Sequence, residues 1–174
     1  MIRRTACLLV AAFLAPAFAA LTSGADTPER PKHVTKTDAE WAKQLTRQQY
    51  LVTRKKATEA AFSGKLVNNH AKGTYTCVCC DSELFPSRTK FESGTGWPSF
   101  FRPIQPEAVV TASDFDLGYE RTEVECSTCN AHLGHVFKDG PAPTGLRYCM
   151  NSVALKFVPE GKAGAKSAAN PESK

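Results

Sequence analysis

Residues 121–152 read RTEVECSTCNAHLGHVFKDGPAPTGLRYCMNS, and this stretch contains most of the side chains that can do chemistry. Its last six residues have the composition of a β-strand, in which alternate side chains point to the same side. Arg147, Cys149 and Asn151 would then share one face. A guanidinium there favours the thiolate form of the cysteine, and an amide can orient a ligand. The pattern makes Cys149 a candidate nucleophile, although an unreactive strand cysteine is the commoner case.

The same stretch holds one of two Cys-x-x-C pairs in the chain. Two such pairs fit two turns that present four thiolates to one zinc ion, which is structural because no coordination position stays open. Disulfides are one alternative, and a thioredoxin-like redox pair is another, although the sequence lacks its βαβ context. Cys79 has no ligand role in this scheme; it is either a passenger, a spare thiol or a substitute for a neighbour. The predicted zinc ligands are Cys77, Cys80, Cys126 and Cys129.

From Gly73 onward the chain consists of short segments rich in β-branched and aromatic residues, separated by Gly and Pro. This texture predicts a mainly β fold, an antiparallel β-rich domain with short N-terminal helices and the four-cysteine zinc site. The predicted strands are residues 73–78, 84–85, 108–112, 119–126, 133–138, 147–150 and 153–158.

The region before these strands predicts two short helices. Thr37 and Glu40 have the spacing of a capping box, and the pattern that follows favours a helix of about three turns. A second helix is predicted over residues 47–54. The aromatic residues of this arm are expected to clamp it onto the domain; they are Trp41, Tyr50 and Phe62.

The first residues resemble a secretory signal, with Arg3 and Arg4 before an apolar run and small residues at a cleavage site. They predict an exported protein, periplasmic or secreted, with a mitochondrial location as the alternative. The apolar run is short for a membrane span, so no membrane association is expected after its removal. The predicted segments are a signal peptide over 1–19, a flexible leader over 20–36, the domain over 37–160 and a disordered tail over 161–174.

Charge excludes one class of partner. Removal of Arg3 and Arg4 with the signal lowers the formal net charge from +5 to +3. No Lys/Arg block of the length typical of a nucleic-acid-binding arm is present, so no nucleic-acid partner is expected.

Several motifs in one continuous order resemble those of the B-type methionine sulfoxide reductases, and the resemblance covers about residues 36–158. It depends on GTGWPSF at 94–100, RTEV at 121–124, HLGHVF at 132–137, DGP at 139–141 and RYCMNS at 147–152. The resemblance implies thiol-dependent reduction of methionine-R-sulfoxide, free or in proteins, as repair of oxidative damage.

The resemblance also implies roles for single residues. Cys149 would attack the sulfoxide sulfur and become a sulfenic acid as methionine is released. His132 and His135 would bind and protonate the sulfoxide oxygen, with His135 favoured for the direct contact. Asn151 would steady the substrate or an ordered water. For either histidine alone, a hydrogen-bonded structural role is the alternative.

Three more residues would form the substrate site. Trp97 is similar to the indole that receives the substrate's methyl group, which distinguishes the two sulfoxide epimers because exchange would put oxygen against the ring. Core packing is its alternative role. Arg147 and Asp139 would shape the charge around the site, or equally form an ordinary ion pair.

The chain departs from the family pattern at Thr95, where many members have a second cysteine that resolves the sulfenic acid. A hydroxyl cannot reduce sulfur. Either Cys79 reaches Cys149, or an external thiol, thioredoxin-like or small, reduces the sulfenic acid directly, which we favour. A monomer is expected.

Two other classes of function compete with this one. A zinc-stabilised binding module would leave the residues around Cys149 without a role. A cysteine hydrolase using Cys149 with His135 would need an oxyanion hole and an orienting acid.

Overall fold

The structure is a computed structural model that describes residues 33–116 and 118–161. The predicted signal peptide, most of the leader and nearly all of the predicted tail lie outside these residues. The helices are α1 (Asp38–Gln44) and α2 (Arg47–Lys55), and the strands are β1 (Gly73–Cys77), β2 (Glu83–Pro86), β3 (Lys90–Phe91), β4 (Ser99–Phe100), β5 (Val109–Asp114), β6 (Arg121–Cys126), β7 (His132–Phe137), β8 (Arg147–Met150) and β9 (Leu155–Pro159). Neither helix has the length and apolar character that crossing a bilayer requires.

The strands form two antiparallel sheets, which confirms the predicted fold class. One sheet has three strands in the order β2-β1-β9, and the other has six in the order β3-β4-β8-β7-β6-β5. In the larger sheet β8 lies near the middle, between β4 and β7. The strand that carries Cys149 is therefore held by hydrogen bonds on both sides.

An aromatic cluster joins the two sheets. Tyr75 and Phe85 from the small sheet contact Phe100 from the large one, with ring centroids 4.9 and 4.5 Å apart. All three side chains are fully buried. Burial of side chains of this size contributes about 1.5–3 kcal/mol each, so this cluster is a main contact between the sheets.

The helical arm begins as the sequence predicts. The Thr37 hydroxyl accepts a hydrogen bond from the Glu40 backbone N–H, and the Glu40 carboxylate accepts one from the Thr37 backbone N–H. Helix α1 is, however, seven residues long, about two turns rather than three. The reason is a second capping box, in which Thr46 and Gln49 start α2 and so end the first helix.

Two other predictions were wrong in detail. Phe62 does not clamp the arm, because it is 72% exposed. Strand β9 starts later than predicted, since Ser152 and Val153 donate their backbone N–H groups to the Glu59 carboxylate and not to a strand neighbour. Strands β3 and β4 were not predicted, because two residues each give no alternating pattern.

Candidate metal centre and active site

The four cysteines of the two Cys-x-x-C pairs come together at one end of the domain. Their sulfur atoms lie within 4.8 Å of one another, with Cys77 to Cys129 at 3.7 Å and Cys80 to Cys126 at 3.6 Å. Tetrahedral bonds of 2.3 Å to zinc place sulfur atoms about 3.8 Å apart. Donor type, number and spacing therefore fit zinc, and the cluster can hold one ion.

The two pairs use the same local backbone. In each, the residue after the second cysteine has a positive φ, 63° at Asp81 and 53° at Asn130. The N–H of each of these residues donates to the carbonyl of the first cysteine of its pair. Asp and Asn tolerate the left-handed region better than most residues, so both turns can aim their sulfur atoms inward.

The helical arm covers this centre. Arg54 donates to the Cys129 carbonyl at 2.8 Å and to its sulfur at 3.3 Å, and its guanidinium stacks on Trp41 at 4.1 Å. Cys79 is only 3% exposed within the same turn. It belongs to the turn after β1, whereas Cys149 lies on the other sheet.

The candidate active site is a row of side chains across the six-stranded sheet. Cys149 pairs directly with His135 on one side and with Ser99 on the other, and His135 pairs in turn with Glu123. Directly opposite residues in antiparallel strands point to the same face. The candidate nucleophile and one candidate acid are therefore nearest neighbours.

A bulge brings the second histidine to this face. Residues three apart on a regular strand point to opposite faces. Here Glu125 pairs with His132 and Val124 with Gly134, so Leu133 is an extra residue in β7. The rings of His132 and His135 consequently lie 5.4 Å apart.

His132 belongs to a buried ionic chain. Its Nδ1 lies 2.6 Å from Glu123, whose other oxygen accepts from Lys56 at 2.7 Å. The imidazole is 2% exposed, and burial lowers the pKa of His132 despite the carboxylate, so the ring is neutral at physiological pH. Its Nε2 is buried with no hydrogen-bond partner among the described residues. Nε2 of His132 can therefore form one further hydrogen bond, with a ligand or with a water.

His135 has its own carboxylate. Its Nε2 lies 2.6 Å from Asp114, which also accepts from Arg121 at 2.6 Å. The backbone N–H of Asp116, then His135 and Arg121, hold the pKa of Asp114 at about 2, so this group stays ionised at any working pH. Since Nε2 is occupied, His135 has Nδ1 left for a ligand.

The Cys149 thiol is half-buried. Burial raises the pKa of Cys149, and the Thr95 hydroxyl at 3.8 Å and the Arg147 cation lower it less. Arg147 thus acts in the direction that the sequence suggested, but desolvation outweighs it. The thiol form dominates at neutral pH in the free protein.

Arg147 and Asp139 form a bidentate pair, with distances of 2.9 and 2.8 Å. The guanidinium also stacks on Phe137 at 4.4 Å. Arg147 is thereby fixed on the face of Cys149, whereas Asp139 is largely exposed. Arg147 and Asp139 therefore form an ion pair, and this pair also holds a cation beside the Cys149 thiol. The two roles considered for these residues do not exclude each other.

Asn151 lies beyond the end of β8 and not in the strand. Its amide donates to the Leu133 carbonyl at 3.1 Å and accepts from the Glu59 N–H at 3.0 Å. Trp97 donates its indole N–H to the Glu59 carbonyl at 3.2 Å. One residue of the loop after α2 therefore contacts both Asn151 and Trp97.

Sequence reasoning missed four residues of this site: Glu59, Lys56, Asp114 and Glu123. Of these four residues, only Glu123 gave a signal in the sequence. It belongs to the RTEV motif and lies in β6, next to the strand that carries both histidines. Asp114 and Glu59 are far from the motifs in sequence, and only the sheet register and the loop path bring them close.

These features fit a small enzyme that has a four-cysteine cluster able to hold a metal ion and one separate cysteine in a candidate active site. The SelR domain model matches residues 45–159. The chain belongs to this family, the B-type methionine sulfoxide reductases. Three relatives carry the name peptide methionine sulfoxide reductase MsrB. They are from Leptospira interrogans, 55% identical over 73% of this chain and 97% of the relative; Herminiimonas arsenicoxydans, 56% over 71% and 90%; and Methanosarcina barkeri, 56% over 76% and 95%.

Proposed function

We propose that this enzyme reduces methionine-R-sulfoxide, free or in proteins, to methionine with Cys149 as the nucleophile. The observation that carries the proposal is the direct pairing of Cys149 with His135, beside a second histidine that a bulge turns to the same face. Family membership favours this function over the hydrolase and the binding module.

In the first step the Cys149 thiolate attacks the sulfoxide sulfur and forms a sulfur–sulfur bond, while the oxygen takes up a proton. The hydroxyl then moves from the substrate sulfur to the Cys149 sulfur, so that the sulfur–oxygen bond of the substrate and the sulfur–sulfur bond both break, and the products are methionine and a sulfenic acid. Methionine sulfoxide is reduced by two electrons and Cys149 is oxidised by two. The oxygen is a poor leaving group, so the protonating residue matters as much as the thiolate.

His135 is the histidine placed to supply the proton, because it pairs directly with Cys149. The ionised Asp114 accepts a hydrogen bond from its Nε2, which fixes the ring and leaves Nδ1 for the substrate. His132 is buried and neutral, and its Nδ1 lies against Glu123, so its Nε2 is suited to accept a hydrogen bond. His132 therefore orders a water beside the sulfoxide oxygen, which has no hydrogen to donate, while His135 supplies the proton.

Trp97 forms the wall for the substrate's methyl group, and its indole is fixed by the Glu59 carbonyl. An apolar wall opposite a proton donor favours one sulfoxide epimer, because the other would place oxygen against the ring. Asn151 supports this arrangement because its amide bonds both Glu59, in the loop after α2, and Leu133, in β7.

An external thiol, thioredoxin-like or small, returns Cys149 to the reduced form. The nearest hydroxyl, Thr95, cannot do so, and Cys79 is buried in the metal-binding turn. Introducing a cysteine tests this route, because the side chain at 95 is already 3.8 Å from Cys149. After one turnover, Thr95→Cys should contain a disulfide between residues 95 and 149, detectable as a cross-linked peptide. A wild-type disulfide to Cys79 would contradict the route.

The four-cysteine centre would hold one structural zinc ion per chain. The ion, when bound, fastens the two turns; its closed ligand set gives it no part in the reaction. The last part of the proposal is that the protein is exported to the periplasm or outside the cell and repairs oxidised proteins there. The mature chain recovered from cells should then begin after residue 19 or 20.

The deciding experiment gives the mature protein both epimers of methionine sulfoxide with excess dithiothreitol and follows each by chromatography. We expect loss of the R form alone. Reduction of neither epimer by a sample that contains one zinc per chain would overturn the proposed activity, and loss of the S form would overturn the epimer choice.

A further inference from the structure

One buried carboxylate of the candidate active site is bonded by a lysine at the end of α2. Lys56 donates from Nζ to Glu123 at 2.7 Å, and the other oxygen of Glu123 lies 2.6 Å from Nδ1 of His132. The side chains of Glu123 and His132 are each 2% exposed, whereas that of Lys56 is 53% exposed. A half-exposed cation therefore acts on a carboxylate and an imidazole that are shielded from solvent.

The backbone at Lys56 has a conformation that favours glycine. Lys56 ends α2 with a φ of +56°, in the left-handed region where glycine is the usual residue. The N–H of Ala57 closes the turn on the Leu51 carbonyl at 3.1 Å. This turn does not require a lysine side chain, so the strain at this position indicates that the side chain has another function.

The other charged groups of β5, β6 and β7 bond elsewhere or share the same lysine. Glu125 lies 3.4 Å from the lysine ammonium, and Arg121 donates to Asp114 at 2.6 Å. His135, which is opposite Glu123 in the sheet, has its Nε2 against Asp114. Among the residues that the structure describes, the lysine is therefore the one cation bonded to the Glu123 carboxylate.

The charge on this carboxylate decides which nitrogen of His132 carries hydrogen. Burial raises the pKa of Glu123, but the hydrogen bonds from Lys56 and His132 bring that pKa below its ordinary value, so the group is ionised. An ionised carboxylate only accepts, so the nitrogen that faces it, Nδ1, carries hydrogen. Burial keeps the imidazole neutral, and a neutral ring has a single N–H. Nε2 therefore holds a lone pair.

We propose that Lys56 is a positioning residue that keeps Nε2 of His132 a hydrogen-bond acceptor. The proposal rests on the proposed function in one respect, because the acceptor serves the sulfoxide oxygen as that oxygen is protonated. The sulfoxide oxygen of bound substrate has no hydrogen, whereas the protonated oxygen donates one through the ordered water to Nε2. A contact of this kind is stronger in the transition state than in bound substrate, so it raises kcat and not affinity.

Removal of the ammonium should turn Nε2 into a donor. Glu123 and the neutral His132 would then hold one uncompensated negative charge in a buried place, which favours uptake of a proton. If the carboxyl group takes this proton, it donates to Nδ1, and the hydrogen of the ring moves to Nε2. If the imidazole takes it, both nitrogens carry hydrogen. Nε2 gains a hydrogen in either case.

The test detects this hydrogen by nitrogen-15 NMR of the imidazole side chains, in which a bare nitrogen and an N–H resonate far apart. The chain has four histidines, and His132→Gln identifies the resonances of His132. At neutral pH, Nε2 should be bare in the wild type and should carry hydrogen in Lys56→Met. Lys56→Arg keeps the cation and should restore the bare nitrogen. Lys55→Met is the matched control, because this adjacent lysine pairs with the exposed Asp38 at 2.6 Å.

The same variants are compared in the reduction of methionine-R-sulfoxide with excess dithiothreitol. Lys56→Met should lower kcat at least about fivefold and leave KM within about twofold, because the lost contact forms only in the transition state. Lys56→Arg should recover most of kcat, and Lys55→Met should change neither constant more than about twofold.

A bare Nε2 in Lys56→Met, or the same change in Lys55→Met, would overturn the proposal, and so would a protonated Nε2 with unchanged kcat. If Lys56→Met does not fold, Lys56→Gln must show the protonated Nε2. Failure of the wild type to reduce the sulfoxide would instead remove the proposed function, and the NMR comparison distinguishes this outcome because it needs no turnover.

Discussion

The candidate metal centre and the candidate active site contain the same functional group, a cysteine thiol, in opposite surroundings. At the metal centre, four sulfur atoms crowd within 4.8 Å of one another, and no carboxylate or histidine is among the ligands. The neighbours of Cys149 are instead a histidine, two hydroxyls and a guanidinium. The groups that surround a cysteine, rather than its burial, therefore decide whether it is suited to hold a metal or to react.

Replacing the lone thiol should have the largest effect. Cys149→Ser should lower kcat/KM by at least about 10³-fold, because a serine hydroxyl is a far weaker nucleophile and cannot form a sulfenic acid. Zinc content and the unfolding temperature should match the wild type. Residual activity within about tenfold of wild type would show that the nucleophile is elsewhere.

Removing one cysteine of the metal centre should change the zinc content and the stability, which Cys149→Ser leaves unchanged. Cys126→Ser should lose bound zinc and lower the unfolding temperature by roughly 10 °C or more, since metal-binding free energy is folding free energy. Metal analysis and a thermal melt measure both. A variant without zinc that melts at the wild-type temperature would separate the centre from stability.

The carboxylate behind His135 gives a smaller effect. Asp114→Asn should lower kcat by roughly 10- to 100-fold, because His135 loses the carboxylate that fixes its Nε2 and orients the ring. The depressed pKa of Asp114 means that its stabilising contribution is present above its ordinary pKa near 3.8 and is lost only as pH falls towards 2. The loss of kcat should therefore appear throughout the neutral range.

Asp38→Asn is the matched control, since Asp38 makes an exposed ion pair with Lys55 at 2.6 Å. Its kcat should stay within twofold of wild type. Equal losses in the two variants would mean that Asp114 acts on the fold and not on His135.

The smallest effect concerns the ionisation of Cys149. Burial raises the pKa of this thiol and Arg147 opposes the rise, so Arg147→Gln should move the pKa further up. The rate of alkylation by iodoacetamide should rise with pH in both proteins, with the midpoint at higher pH in the variant. A midpoint that moves down, or not at all, would remove Arg147 from the electrostatics of the site.

The sequence predicted most completely where chemistry repeats at short spacing. Two Cys-x-x-C pairs locate four ligands, and the alternation in residues 147–150 matches β8 residue for residue. Asn151 fell outside this rule, because the strand ends at Met150. The Asn151 N–H still donates to the Leu133 carbonyl, but the N–H groups of Ser152 and Val153 donate to Glu59.

Other features depend on contacts that short-range patterns cannot encode. The bulge at Leu133 is set by the register of β6 against β7, and without it two histidines three residues apart would face opposite sides. Likewise, Asp114 reaches His135 across 21 residues of sequence. The exposure of Phe62 reverses the usual expectation for an aromatic residue, since a strained loop holds the ring outward.

The end of α2 links the two regions compared above. Arg54 bonds the carbonyl and sulfur of Cys129, and two residues later Lys56 bonds Glu123, the carboxylate that holds His132. Oxidative damage to the four clustered thiols would therefore loosen this helix end and release the support of His132.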